Sequence, residues 1–142
     1  MQMTSRQTGF TLIELISVIV ILGILAATAL PKFVDLTTDA RIAKLNAAVG
    51  SLKSSAAMTH GKFLVNPVTP QIFEGVSVTF INGYPDAESV AEVSGLSAPD
   101  YTSSATGTVL TVTVAPNCTA TYTEAASAIL PPVIAIGTTT GC

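Results

Sequence analysis

A single acid, Glu14, sits inside the otherwise apolar run Phe10–Leu30, which follows the polar stretch Met1–Gly9 and meets Pro31. As a helix rising about 1.5 Å per residue, the run reaches roughly 30 Å, the thickness of a bilayer's hydrocarbon core. A carboxylate held in that core costs about 2.5–3.5 kcal/mol, so it calls for a partner. The helix itself offers no basic residue. That missing partner constrains what such a chain can fold into and assemble with.

The chain has 142 residues, 49% of them hydrophobic and 11% charged, and a mean hydropathy of +0.60. The segment beyond the apolar run is long enough for one modest domain. A formal net charge of -3 and a pI near 4.8 argue against a nucleic-acid groove as the fold's main purpose, so no specific nucleic-acid partner is expected. DNA binding at a local patch of an assembled polymer stays open. Cys118 and Cys142 lie outside any zinc-like or CxxC spacing. Behind a membrane-targeting segment they face an oxidising compartment and are expected to pair, a closure worth about 3 kcal/mol.

Three accounts of the N-terminus compete. A signal peptide has the small-residue site Ala27-Thr28-Ala29, but the apolar run is too long, Glu14 interrupts it and Arg6 is the only basic residue ahead. A plain transmembrane anchor, with Arg6 favouring a cytoplasmic N-terminus, leaves Glu14 unexplained. The third account rests on Thr8-Gly9-Phe10-Thr11-Leu12-Ile13-Glu14. This heptad resembles the class III signal of type IV prepilins and type II secretion pseudopilins. The resemblance implies that a membrane-embedded prepilin peptidase cuts after Gly9 and methylates the new amine on Phe10. Glu14 then matches the family's acid five places into the mature chain. Gly23 and Pro31 fall where pilins carry helix-weakening residues. The implied segments are a leader 1–9, a hydrophobic transmembrane and assembly helix 10–31, and a periplasmic, later extracellular, head 32–142.

Within a helix Pro31 removes one bond and crowds the preceding turn at about 3 kcal/mol, and Gly23 adds about 1 kcal/mol of weakness. Residues 23–31 are therefore the softest part of the helix, either able to unwind under packing or load, or merely kinked. Beyond Pro31, Ile42, Leu45, Val49, Leu52 and Ala56 form one helical stripe, with Asp39, Arg41, Lys44 and Lys53 off it. The helix is expected to end near Thr59, with Gly61 as the stop.

Residues 61–75 hold Pro67, Pro70 and Gly75 and read as loop. Val76, Val78 and Phe80 alternate as a short strand, and Asn82-Gly83-Tyr84-Pro85 is a turn. Asp86 caps a short helix Ala87–Ser94 ended by Gly95, and Ser97–Gly107 is a polar stretch. Thr108–Val114 and Cys118–Thr123 alternate on either side of a turn, giving a hairpin whose apolar face covers the helix stripe. A last strand covers Val133–Ile136, and Gly137–Cys142 is a tail unless the disulfide ties it down.

This order is α+β and similar to the pilin fold: a long N-terminal helix on a small antiparallel sheet, with a disulfide-closed C-terminal loop. The Cys118–Cys142 pair matches the disulfide-bounded loop of type IV pilins. Asn82-Gly83-Tyr84-Pro85 and Tyr122-Thr123-Glu124-Ala125 look like the mannose-sensitive haemagglutinin pilin subfamily.

Catalytic chemistry has no foothold. His60 stands alone and reads as a solvated or capping residue, and no nucleophile has a second titratable partner by motif. No phosphate-binding glycine pattern occurs. Asp86, Glu88 and Glu92 could hold calcium but lack an oxygen-rich loop spacing, so they read as a solvated helix face. No metal, cofactor or enzyme activity is expected.

The resemblance implies a structural subunit, a major one, of a type IV pilus filament serving adhesion, with motility or DNA uptake as further roles. Its partners are further copies of itself, the peptidase, and an inner-membrane assembly platform and motor. It waits in the bacterial inner membrane with its N-terminus cytoplasmic and ends in the extracellular pilus. Glu14 then pairs with the Phe10 amine of a neighbouring copy. The alternatives are a type II secretion pseudopilin, which the cysteine pair disfavours, and a membrane-anchored periplasmic binding module.

Overall fold

The computed structural model describes residues 9–142, with the backbone alone over 30–35. The leader ahead of Gly9, with Arg6, and the Pro31 side chain lie outside the described residues. The chain divides after Thr37 into two compact units. The architecture is α+β: a 54-residue helix α1, Leu12–Val65, followed by eight short strands and one further helix. The backbone of α1 stays helical through Gly23 and Pro31.

In the second unit, the stripe on α1 is buried as Leu45, Ala48, Leu52, Ala56 and Thr59. Opposite it lies a four-stranded antiparallel sheet in the order β5-β6-β7-β8, comprising Thr102–Thr106, Val109–Ala115, Cys118–Thr123 and Val133–Ile136. Leu110, Val112 and Tyr122 pack with Ala48, Leu52 and Ala56, while Cys118, Ala120 and Cys142 pack with Leu45. The alternation in β6 and β7 thus covers the helix stripe as expected, and a register shift falls between Thr113 and Ala115.

Five sequence expectations change. The helix passes Gly61 and ends at Val65. One interior glycine costs about 1 kcal/mol. The contacts of the added turn offset this: the Phe63 ring lies 4.9 Å from that of Phe80, and Lys62 Nζ donates to the Ile72 carbonyl at 2.7 Å while sitting 4.1 Å from the Phe73 ring centroid. The stop is set by Pro67, which disfavours helix at Asn66, and Gln71 Nε2 donates to the Asn66 carbonyl at 2.6 Å.

The region read as loop contains β1, Gln71–Phe73, and the single strand expected over 76–80 is two. β2, Val76–Val78, pairs with β1, while β3, Phe80–Ile81, pairs with β4, Tyr84–Pro85. Both hairpins turn through two residues at positive φ, Glu74-Gly75 and Asn82-Gly83, the geometry that two-residue hairpin loops favour. The polar stretch 97–107 contains the edge strand β5, which the hydrophobic pattern could not reveal because all five of its residues are exposed.

The two tetrapeptides that suggested a pilin subfamily fold against each other. Asn82 Nδ2 donates to the Ala125 carbonyl at 2.7 Å, and Tyr122 Oη donates to the Pro85 carbonyl at 2.5 Å. Glu124 Oε1 accepts from the Ala87 amide at 2.8 Å at the start of α2, Ala87–Val93, whose N-cap Asp86 accepts from Ser89 N at 2.7 Å. Gly83, at φ +84, lies under the Phe63 ring, and a Cβ there would sit 3.3 Å from it. His60 is neither a cap nor free in solvent. Its Nδ1 lies 2.8 Å from the Gly83 carbonyl, which can only accept, so Nδ1 carries the proton. Its ring stacks on Tyr84 at 4.0 Å.

The Cys118–Cys142 disulfide is present, with both sulfur-bearing residues buried. It draws the C-terminus in so closely that Gly141 runs against the Pro116 carbonyl, where no Cβ fits. Arg41 adds a hydrogen bond to the Gly141 carbonyl at 3.2 Å.

Burial, followed by the charges of Glu124 and Asp86 and then by Tyr84, pushes the Tyr122 phenol above its ordinary value of 10.0. A raised folded value contributes stability below the unfolded pKa that is lost as pH climbs past it. The full chain in detergent should therefore lose head stability above about pH 10. Tyr122→Phe should cost about 1–3 kcal/mol at neutral pH, by removing the donor to Pro85, and flatten this alkaline loss. Thermal unfolding followed by near-ultraviolet circular dichroism at neutral and alkaline pH measures both effects.

Candidate assembly site

The first unit is built around an uncovered apolar helix. The window Leu12–Ala29 is long and apolar enough to cross a membrane, and none of it is buried inside the chain. Leu12, Ile13, Leu15, Ile19, Ile21, Leu22, Ile24 and Leu25 all stand open. Each such side chain gains about 1.5–3 kcal/mol on full burial, so this surface requires lipid or other helices around it.

Gly9 and Phe10 form an exposed coil directly ahead of the helix, Phe10 being 84% exposed. Glu14 lies in the first turn, where negative charge is favoured by the helix dipole. Its Oε2 accepts from the Thr11 amide at 2.8 Å and from the Thr11 hydroxyl at 2.7 Å, and its own amide donates to Thr11 Oγ1 at 3.3 Å. This reciprocal arrangement is a capping box.

The helix offers Glu14 no basic residue, as its sequence reads, but neutral donors of Thr11 hold one oxygen. The pattern Thr-x-x-Glu over residues 11–14 carries that signal in the sequence. What remains is the charge. No cation contacts Glu14 among the described residues, and Oε1 accepts no hydrogen bond among them. The box holds the carboxylate in a defined place at the helix start, four residues from Phe10, with one oxygen open.

Gly23 sits mid-helix with open space where a Cβ would be. Cys118 and Cys142 close the head's C-terminal segment. Asp86 is occupied in capping α2, and Glu88 and Glu92 are exposed on that helix. Among the described residues no three His, Cys, Asp or Glu side chains converge.

Comparison with known proteins finds similarity to a motif family and to pilus and fimbrial proteins. Residues 4–30 match the family model of the prokaryotic N-terminal methylation motif. A type IV narrow pilus major component of Thermus thermophilus is 46% identical over 68 residues, covering 48% of this chain and 59% of the relative. A fimbrial protein of Pseudomonas aeruginosa is 43% identical over 67 residues, covering 46% and 44%. A type IV major pilin protein of Neisseria gonorrhoeae is 43% identical over 67 residues, covering 45% and 41%. The chain spans about half the length of the curated relatives it matches. No solved structure matches it.

Thr11→Ala should remove the hydroxyl donor to Glu14 Oε2 and the acceptor of the Glu14 amide, leave the residue-11 amide donor in place, and cost the helix start about 1 kcal/mol. Amide hydrogen exchange of the full chain in detergent should then speed up about fivefold over Leu12–Glu14 while the head is unchanged.

Proposed function

We propose that this chain is a type IV prepilin whose mature form is a structural, major subunit of a pilus filament. The observation that carries this reading is the conjunction at one end. A methylation motif spans residues 4–30, an apolar helix is covered by nothing among the described residues of its own chain, and a carboxylate at its head is held in place with one oxygen open. Similarity to pilus and fimbrial proteins supports it.

In this account prepilin peptidase cuts between Gly9 and Phe10 and the Phe10 amine is methylated. Glu14 of one copy then pairs with the Phe10 amine of another. Each charge alone is costly in an apolar bundle, and together they offset one another and fix axial register. An inner-membrane platform and motor extract the helix from lipid, and packing between helices replaces the lipid around Leu12–Ala29. Gly23 and Pro31 supply the helix's give. Before assembly the N-terminus is cytoplasmic and the head periplasmic; afterwards the head forms the extracellular surface of the pilus, which serves adhesion. In this reading the chain belongs to the mannose-sensitive haemagglutinin pilin subfamily, on the sequence resemblance of Asn82-Gly83-Tyr84-Pro85 and Tyr122-Thr123-Glu124-Ala125.

Glu14→Ala and Glu14→Lys should leave leader removal intact while lowering sheared filament yield at least tenfold; wild-type yield from either would sink the charge-pairing account. Mass spectrometry of assembled subunits should find Phe10 as the N-terminus bearing one methyl group. A chain beginning at Leu30 would instead establish ordinary signal-peptide cleavage.

A further inference from the structure

The two edges of the four-stranded sheet carry unlike surfaces. At the β5 edge, α2 presents Glu88 and Glu92, one turn apart and both exposed. They border a hollow of about 320 Å³ shared with Ala105 and Leu110. Beside the β8 edge lies a groove of about 350 Å³ lined by Lys53, the stacked His60 and Tyr84, Pro131, Pro132 and Ile134. Next to it stand Ile129, 91% exposed, and Val133, 64% exposed. Among the described residues the side chains of Lys53, Glu88 and Glu92 make no ion pair or hydrogen bond; the one ion pair is Lys44–Asp100 at 2.9 Å.

We propose that the Glu88–Glu92 flank of one copy docks into the Lys53 groove of a second copy. The occupant is a second copy because the complementary charges are carried by the same chain, unpaired, on opposite edges of one sheet. Mating two different patches gives a heterologous contact, which leaves one acidic flank and one Lys53 groove unused at the ends of any assembly. Such a contact propagates as an open helix instead of closing as a dimer. The apolar lining of the groove supplies buried area, while Lys53 at its rim selects register and partner. The inference rests on the filament reading and adds to it a head-to-head contact independent of Glu14.

The test uses the full chain in cells that assemble it. A photoreactive benzoylphenylalanine in place of Ala57, an exposed residue of the groove, should cross-link to the peptide containing Glu88 and Glu92 of another copy. Lys53→Glu and Glu92→Lys should each reduce sheared filament yield about tenfold by setting like charges together, and the two combined in one chain should restore it. Cross-links solely to other peptides, or to a different protein, would overturn the contact, as would wild-type yield from both single reversals. Failure of Glu14→Ala to assemble, alongside wild-type yield from Lys53→Glu and Glu92→Lys, would overturn this contact and leave the pilus reading standing. A wild-type chain giving neither fibres nor cross-links between copies would overturn both.

Discussion

Among the described residues nothing of the chain covers the apolar surface of Leu12–Ala29, whereas the second unit buries a core of its own. A soluble fold would bury such a stripe against a sheet or another helix, as the second half of α1 does against β6 and β7. The first half instead carries apolar residues on every side. A helix that is hydrophobic all round belongs inside something larger, whether lipid or a bundle. The structure thus separates a self-sufficient head from a segment whose burial must come from outside.

In the proposed filament, Glu14 is the device that would give this uniform surface a register. Apolar packing is nearly indifferent to sliding along the axis, whereas a carboxylate in a low-dielectric bundle is not. The capping box with Thr11 keeps the acid from rotating freely and leaves one oxygen open, which in the proposed filament is where the Phe10 amine of another copy would arrive. In the head, small hydrogen-bonded units do comparable work. Asn82, Pro85, Tyr122, Glu124 and Asp86 join a tight hairpin, the end of β7 and the start of α2. The disulfide pins the C-terminus against the turn between β6 and β7.

Much of this was legible in the chain's patterning. The stripe Leu45, Leu52 and Ala56, the alternation in β6 and β7, the Asp86 cap and the pairing of Cys118 with Cys142 all rest on local periodicity or on a simple chemical argument, and the structure shows each of them. The errors share a cause. Extension of α1 past Gly61 depends on Phe63 and Lys62 meeting residues from β1 and β3, which no local window contains. The edge strand β5 has no buried face, so it is defined only by main-chain pairing to β6. His60 looked solvated because its carbonyl partner, Gly83, is twenty-three residues away.

Neighbouring residues alone specify the division of labour: an apolar N-terminal helix with one acid, a processing-type motif ahead of it, and an amphipathic continuation into a disulfide-closed α+β head. Composition and periodicity suffice there because each property is carried along a short stretch of chain. Folding in three dimensions was needed to establish that Glu14 is held by Thr11 in a reciprocal cap and that the two tetrapeptides are halves of one hydrogen-bonded unit. It also placed an acidic flank and a Lys53 groove on opposite edges of the sheet. The latter two bring together groups far apart in sequence, and the geometry of the Thr11 cap exists only once the first turn of α1 has formed.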